Sequence, residues 1–280
     1  MKSIIAFFLY YLGYIKLKQH KIISIYFHNP SIQTFERIIK WGKNKNYKFI
    51  DTRTLYSYLT GEDITVDKAI HITFDDGWKG NIDLIPIIEK YNIPITIFVP
   101  IDPIISGNFW WEFVVNKYNN FDIVEQFKKD PYDIFLSKVE SLKKDISLNR
   151  SAITIEELKV LDNHPLIDIQ SHSFSHPILT NLSEELLDFE LKESKQFLEQ
   201  FLNKKIQFFS YPNGSLTSRE VEYVARYYKC AFTTVSSYPS KNSDLMQVPR
   251  IALSNDYWGN LAKIAGTWSF IDKIKKICTR

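Results

Sequence analysis

Short runs rich in Ile, Val and Phe alternate along this chain with longer stretches whose apolar residues return at helical spacing, and this alternation constrains the fold more than any other feature. Continuous apolar runs suit strands buried on both faces. Such strands belong to parallel sheets, where a crossover helix must join each to the next. The runs at 22–27, 69–74, 95–99, 166–170, 206–209 and 231–235 are read as strands. Helices are expected at 32–43, 82–91, 155–161, 184–202, 218–228 and 257–276. The helix at 184 begins well: Ser183 can cap its first amides, and Glu184 and Glu185 complement the positive end of its dipole. No Gly-, Ser- or Pro-rich linker divides the chain and no repeat is visible, so residues 22–280 are expected to form one α/β domain. With 280 residues, 45% of them hydrophobic, the chain suffices for a single β/α barrel.

Residues 101–152 interrupt the rhythm. The stretch 107-GNFWWEFVVNKYNNF-121 and the charged segment after it read as an insertion between a strand end and the next helix. Barrel enzymes place substrate-facing loops at that position, which makes Trp110 and Trp111 candidate substrate contacts.

A net charge of +3, with Lys and Arg spread along the chain, offers no concentrated basic face for nucleic acid. Cys230 and Cys278 lie too far apart in sequence for a disulfide framework or a metal pair, and are expected to be a core and a tail residue. The segment 1–21 stands apart. Its run 3-SIIAFFLYYLGYI-15 is shorter than the roughly 20 apolar residues a spanning helix needs, and it lacks a small-x-small cleavage site. With 16-KLKQHK-21 following, it reads as an interfacial helix or as an ordinary helix docked on the domain; the expectation is a cytoplasmic protein that touches the membrane, with export as the alternative.

Chemistry concentrates where three strands end. In 71-HITFDDGWKG-80 an apolar strand stops at two adjacent carboxylates, which a fold tolerates only where solvent, a cation or hydrogen-bond donors offset their repulsion. In 168-DIQSHSFSHP-177, His172 and His176 are spaced to return to one face of a helix or a strand. Two histidines and one of the two aspartates make a zinc-type set of three protein ligands with a position left for water. The other aspartate then stays free to take a proton. The third stretch, 208-FFSYPNG-214, runs a strand into a turn, and in a barrel it shares a face with the other two.

In this order, TFDDG (73–77), SHSFSHP (171–177) and FSYPNG (209–214) resemble the motif series of the polysaccharide deacetylases, carbohydrate esterase family four. The opening 24-SIYFHNPS-31 is similar to the first strand of the bacterial exopolysaccharide and lipopolysaccharide branch, and the likeness spans about residues 22–255. The resemblance implies an irregular (β/α) barrel and metal-dependent removal of N-acetyl groups from amino sugars. It implies Asp75 as general base, Asp76, His172 and His176 as ligands of a divalent metal, most simply Zn²⁺, and Tyr211 as donor of a backbone amide to the oxyanion. Amide hydrolysis needs an activated water, a stabilised oxyanion and a proton for the departing amine, and bound zinc lowers the pKa of water to about 7.

Two departures matter. No histidine follows His176, so the leaving-group acid is expected on the first strand, at His28, as in the branch this chain resembles. Phe209 stands where an arginine often precedes the tyrosine motif, and Arg250 in 248-VPRIAL-253 is a substitute partner for Asp75, although a surface salt bridge explains it nearly as well. Trp78 and Pro212 join the two insertion tryptophans as candidate substrate contacts. The expected substrate is an N-acetylated glycan or a lipid- or nucleotide-linked sugar. Rival readings are hydrolysis of another acyl group, such as formyl, and a glycan-binding pseudoenzyme.

Overall fold

The computed structural model describes residues 2–17, 20–62 and 66–267. Helix α1 (Lys2–Leu17) precedes β1 (Ile22–Phe27), α2 (Ile32–Asn44), β2 (Lys48–Ile50), α3 (Thr52–Leu59) and β3 (Ala69–Asp75). A 3-10 turn at Lys79–Leu84 leads into α4 (Ile85–Tyr91) and β4 (Ile95–Val99). Four helices follow, α5 (Ile101–Ser106), α6 (Trp110–Tyr118), α7 (Phe121–Phe127) and α8 (Tyr132–Asp145). The alternation then resumes with α9 (Ile155–Asp162), β5 (Ile167–Ser171), α10 (Glu184–Leu202), β6 (Phe208–Ser210), α11 (Ser218–Tyr227), β7 (Cys230–Phe232), β8 (Ile251–Ala252) and α12 (Tyr257–Ile264).

All the strands pair in parallel, in the order β7-β6-β5-β4-β3-β1-β8, with β2 beside the first half of β3. Every residue of β1, β3 and β4 is buried, the polar Ser24, His71, Thr73, Asp75 and Thr96 among them, as strands covered on both faces require. The sheet curls until residues 245–253 bind both of its edges. The Thr233 amide donates to Val248 O and the Ala231 amide to Leu245 O on the β7 side, while the Leu253 amide donates to Tyr26 O on the β1 side. This short segment therefore runs between the two edges of an irregular barrel, and it carries Arg250 with it.

The structure sharpens several sequence expectations. The strands at 22–27 and 95–99 and the helix at 184–202 have the expected limits, and that helix is capped by Ser183 Oγ accepting from the Leu186 amide. The strands expected at 206–209 and 231–235 are shorter and shifted, because the chain turns at Tyr211 and leaves the sheet after Phe232. The helix expected at 82–91 starts as a 3-10 turn, since Pro86 supplies no amide and fits only a first helical turn. The last helix ends at Ile264, with Gly266 in the left-handed region behind it, whereas residues 268–276 of the expected helix lie outside the described residues, as does Cys278. Cys230 is buried, as expected of a core residue.

The insertion is helical and has an apolar core of its own, built from Trp110, Phe113, Val114, Val124, Phe127, Phe135, Val139 and Leu142. Helix α1 lies on the body of the protein. Phe7 packs edge-on against Trp258 at 4.7 Å between ring centroids, and the Trp41 indole N–H donates to the Tyr10 hydroxyl at 2.8 Å. No helix among the described residues is long and apolar enough to cross a membrane.

Candidate active site

Strand β3 delivers Asp75 as its last residue, and the backbone then reverses through two left-handed residues, Asp76 at φ 76° and Gly77 at φ 71°. Only glycine tolerates the second of these cheaply, and a Cβ there would also meet Val99 Cγ1 at 3.0 Å. The two carboxylates consequently face different partners. Asp75 binds Arg250 bidentately, Nη1 to Oδ1 and Nη2 to Oδ2 at 2.8 Å each, and Ser210 Oγ donates to Oδ2 at 3.2 Å. Arg250 is fully buried. Its remaining N–H groups donate to Thr73 Oγ1, Ser210 Oγ and Thr233 O, so all five are used, and its plane lies over the Tyr26 ring at 4.4 Å. Burial alone would raise the Asp75 pKa, but the guanidinium outweighs it and holds the carboxyl below its ordinary value.

Asp76 turns to the histidines. Its Oδ1 lies 3.4 Å from His172 Nε2 and 3.3 Å from His176 Nε2, yet has no hydrogen-bond partner although it is buried. The three ligand atoms lie within 4.8 Å of one another. The His172 Nδ1–H donates to Ser210 O at 2.7 Å, which leaves the Nε2 lone pair facing Asp76. The Trp78 indole N–H donates to Asp76 Oδ2 at 3.0 Å and so orients the other oxygen toward the imidazoles. Burial opposes ionisation of Asp76, but the surrounding imidazoles of His28, His172 and His176 hold its pKa well below the usual carboxylate range. Desolvation lowers the pKa of His176, which favours the neutral ring a metal needs. An ionised buried oxygen without a donor, between two imidazole nitrogens, is a donor set that suits a divalent cation.

Above this centre opens a cleft of about 760 Å³. Barrel residues form one wall, and the insertion forms the other with Trp111, Asn116, Phe121 and Lys128.

The sequence pattern described as polysaccharide deacetylase matches residues 62–232. The chain belongs to that family. Among curated polysaccharide deacetylase relatives, YxkH of Bacillus subtilis, named for the same family, is 22% identical over 222 residues, covering 79% of this chain and 64% of that protein. The poly-beta-1,6-N-acetyl-D-glucosamine N-deacetylase of Staphylococcus aureus is 23% identical over 239 residues, 84% of this chain and 71% of that protein. Among solved structures, IcaB from Ammonifex degensii superposes with a TM-score of 0.66 at 18% identity, over 88% of this chain and 97% of that one. The Streptococcus pyogenes deacetylase PplD, solved in complex with acetate, gives 0.62 at 20% identity over 87% and 96%. These likenesses establish the deacetylase barrel fold.

Within this deacetylase barrel, the expected site residues converge with three changes. Tyr211 is buried beside the cleft, but its amide donates to Phe232 O at 3.1 Å, continuing the β6–β7 ladder, and so is not free for an oxyanion. On the same turn Asn213, at φ 57°, lines the cleft, whereas Pro212 is buried and does not figure among the cleft-lining residues. Trp110 lines the cleft as well, but it is only 5% exposed and its indole N–H donates to His176 O at 3.1 Å, so it also braces the histidine loop. Trp111 packs edge-on against His176 at 4.8 Å and lines the cleft beside Trp78. His28 stands half exposed at the cleft, with Nε2 4.0 Å from Asp76 Oδ2. Of the other histidines, His71 is buried inside β3 and His164 sits at the far side beside Glu89. Sequence reading missed Ser210, which serves Asp75 through its hydroxyl and His172 through its carbonyl; its place inside the FSYPNG motif was the available signal.

Proposed function

We propose that this protein is a metal-dependent hydrolase that removes N-acetyl groups from an amino sugar of a cell-surface polysaccharide or of its precursor. Family membership supplies the reaction class, and the S. aureus relative's name supplies the kind of substrate, a polymer of N-acetylglucosamine. The observation that carries the reading is the unpartnered Asp76 Oδ1 facing His172 and His176 beside an aspartate that a buried arginine keeps ionised. Asp76, His172 and His176 would hold the ion, and three N/O ligands suit zinc. Bound there, the cation supplies Lewis acidity toward the amide carbonyl and toward water.

The protein's own groups divide the remaining work. Asp75 accepts three hydrogen bonds from Arg250 and Ser210, and a carboxylate has about four acceptor positions, so Oδ1 retains one for a proton of the attacking water. Asn213, on the turn that follows Tyr211, lines the cleft and is a candidate polar group for the oxyanion. His28 donates a proton to the departing amine from the cleft mouth. Trp111 and Trp78 offer aromatic surface to the sugar.

The decisive experiment combines metal and acetate analysis. Protein incubated with zinc and freed of excess should retain about one ion per chain, and it should release acetate from a beta-1,6-linked N-acetylglucosamine oligomer or from a lipid- or nucleotide-linked N-acetyl amino sugar. Bound metal with formate released from N-formyl sugars alone would favour the other acyl group. Neither metal nor turnover, with glycan binding retained, would favour a pseudoenzyme.

Exposure of α1 favours a second reading, contact with a lipid surface. Its stripe of Ile4, Phe8, Tyr11 and Leu12 is 57–74% exposed, while Ala6 and Tyr10 face the protein. The lysines of 16-KLKQHK-21 complement anionic headgroups. Flotation with anionic vesicles should recover the wild type and fail for Phe8→Ser/Leu12→Ser; equal recovery would remove the contact.

A further inference from the structure

The loop that carries both histidines is held by a residue outside every motif. Glu190, on α10, is 3% exposed, and its carboxylate faces into the segment between His172 and His176. Oε2 accepts from the Phe174 and Ser175 amides at 2.8 Å each, and Oε1 accepts from Ser175 Oγ at 2.5 Å. The backbone there is costly: Ser173 and His176 both occupy the left-handed region, at φ 69° and 58°. A non-glycine residue adopts this region at an energetic cost that surrounding bonds must offset. Other bonds also reach this segment, among them the Trp110 indole N–H to His176 O and the His172 amide to Val99 O. Ser173 Oγ accepts from the His176 amide, and Phe174 O accepts from the Ile101 and Asp102 amides at the start of α5.

We propose that Glu190 is the positioning residue of the metal centre, acting by reach: its carboxylate pins the two central amides of the loop, so that the His172 and His176 imidazoles meet Asp76 before any ion arrives. This rests on reading Asp76, His172 and His176 as a metal site. Its consequence is preorganisation, because a loop free to leave the left-handed conformation at His176 must be ordered by the ion itself, and that cost is subtracted from affinity. Partners that orient metal ligands from outside the coordination sphere typically account for about 10- to 100-fold in affinity. Reach and charge make opposite demands on substitution. Gln keeps the length and one oxygen able to accept both amides, and its NH2 can donate to Ser175 Oγ. Asp keeps the charge but withdraws the oxygens by one methylene.

The test is zinc affinity by competition with a chromogenic chelator at 25 °C, together with the visible spectrum of the cobalt-loaded protein, for wild type, Glu190→Gln, Glu190→Asp and His176→Ala, each first shown to be folded by circular dichroism. Glu190→Gln should bind within about threefold of wild type, while Glu190→Asp should lose about tenfold or more and change the cobalt spectrum. The reverse order, with Gln weak and Asp near wild type, would overturn positioning in favour of a charge effect. Unchanged affinity in both variants, even with lowered thermal stability, would overturn it in favour of a structural role. Should wild type bind no more tightly than His176→Ala, the metal reading itself falls and the positioning role falls with it.

Discussion

Arg250 lies flat against the Asp75 carboxylate, two nitrogens to two oxygens at 2.8 Å each, with no part of the arginine exposed to solvent. A buried ion pair is weak evidence for stability in itself, because desolvation of two charges offsets much of their attraction. The cost here is met by geometry. Arg250 uses all five donors, and it arrives on the segment that binds both edges of the sheet, so the residue that sets the ionisation of the candidate base also stands at the seam of the barrel.

Removing the arginine should therefore damage both fold and chemistry. Arg250→Met leaves Asp75 buried and unpaired, a loss of about 3–5 kcal/mol for broken buried pairs. The Asp75→Asn/Arg250→Met double variant, which removes both charges, should regain part of that loss. Denaturant midpoints of the four proteins give the coupling, and strict additivity of the two single changes would refute it. In wild type the depressed Asp75 pKa stabilises the fold above the unfolded value near 3.9, and that contribution fades as pH falls further.

The two aspartates should separate cleanly. Asp75→Asn keeps the Asp76, His172 and His176 set intact, so it should retain zinc while losing roughly 10²-fold or more of turnover. Asp76→Asn removes the charge from the oxygen that faces both imidazoles and should weaken zinc binding itself. Metal titration alongside acetate release measures both; equal loss of metal in the two variants would contradict the division of roles.

Much of this centre was legible because motif and strand end coincide. TFDDG, SHSFSHP and FSYPNG each follow an apolar run, and parallel strands bring their ends together. What stayed hidden depends on the path of short or irregular chain. Strands β2 and β8 have three and two residues, too few to show a period. Arg250 read equally as a surface ion pair because nothing local announces that residues 245–253 join two sheet edges. Trp110 read only as a candidate sugar contact because sequence gives the ring but not the acceptor its N–H will find, here His176 O. The Tyr211 amide looked free because the β6–β7 ladder extends one residue past the assigned strand.

Buried His71 should give the fold an acid-sensitive slope independent of the metal site. Ser24 Oγ meets its Nδ1 and Thr52 Oγ1 its Nε2, each at 2.8 Å, and burial pushes its pKa down to about 3. An unfolded chain binds this proton below about pH 6.5 while the native state refuses it, so unfolding free energy should fall as pH drops from 6.5 toward 3, by about 1.4 kcal/mol per unit. Chemical denaturation across that range checks the slope, and His71→Gln should flatten it. An unchanged slope in the variant would assign the acid sensitivity elsewhere.

His28 tests the chemistry at the cleft mouth. Its Nε2 lies 4.0 Å from Asp76 Oδ2, while the Asn81 side-chain amide donates to its carbonyl at 2.9 Å and fixes where β1 delivers the ring. The ring is half exposed, so substitution should leave folding and zinc affinity close to wild type. An amide nitrogen is a poor leaving group until protonated, whereas an activated ester departs without a proton. His28→Ala should consequently lose on the order of 10²-fold or more on the N-acetyl sugar, the usual worth of a positioned general acid, and less than about tenfold on a nitrophenyl acetate whose leaving group needs no proton. Equal losses on the two substrates would place His28 in substrate binding, and no loss on either would leave the departing amine to be protonated by water in the open cleft.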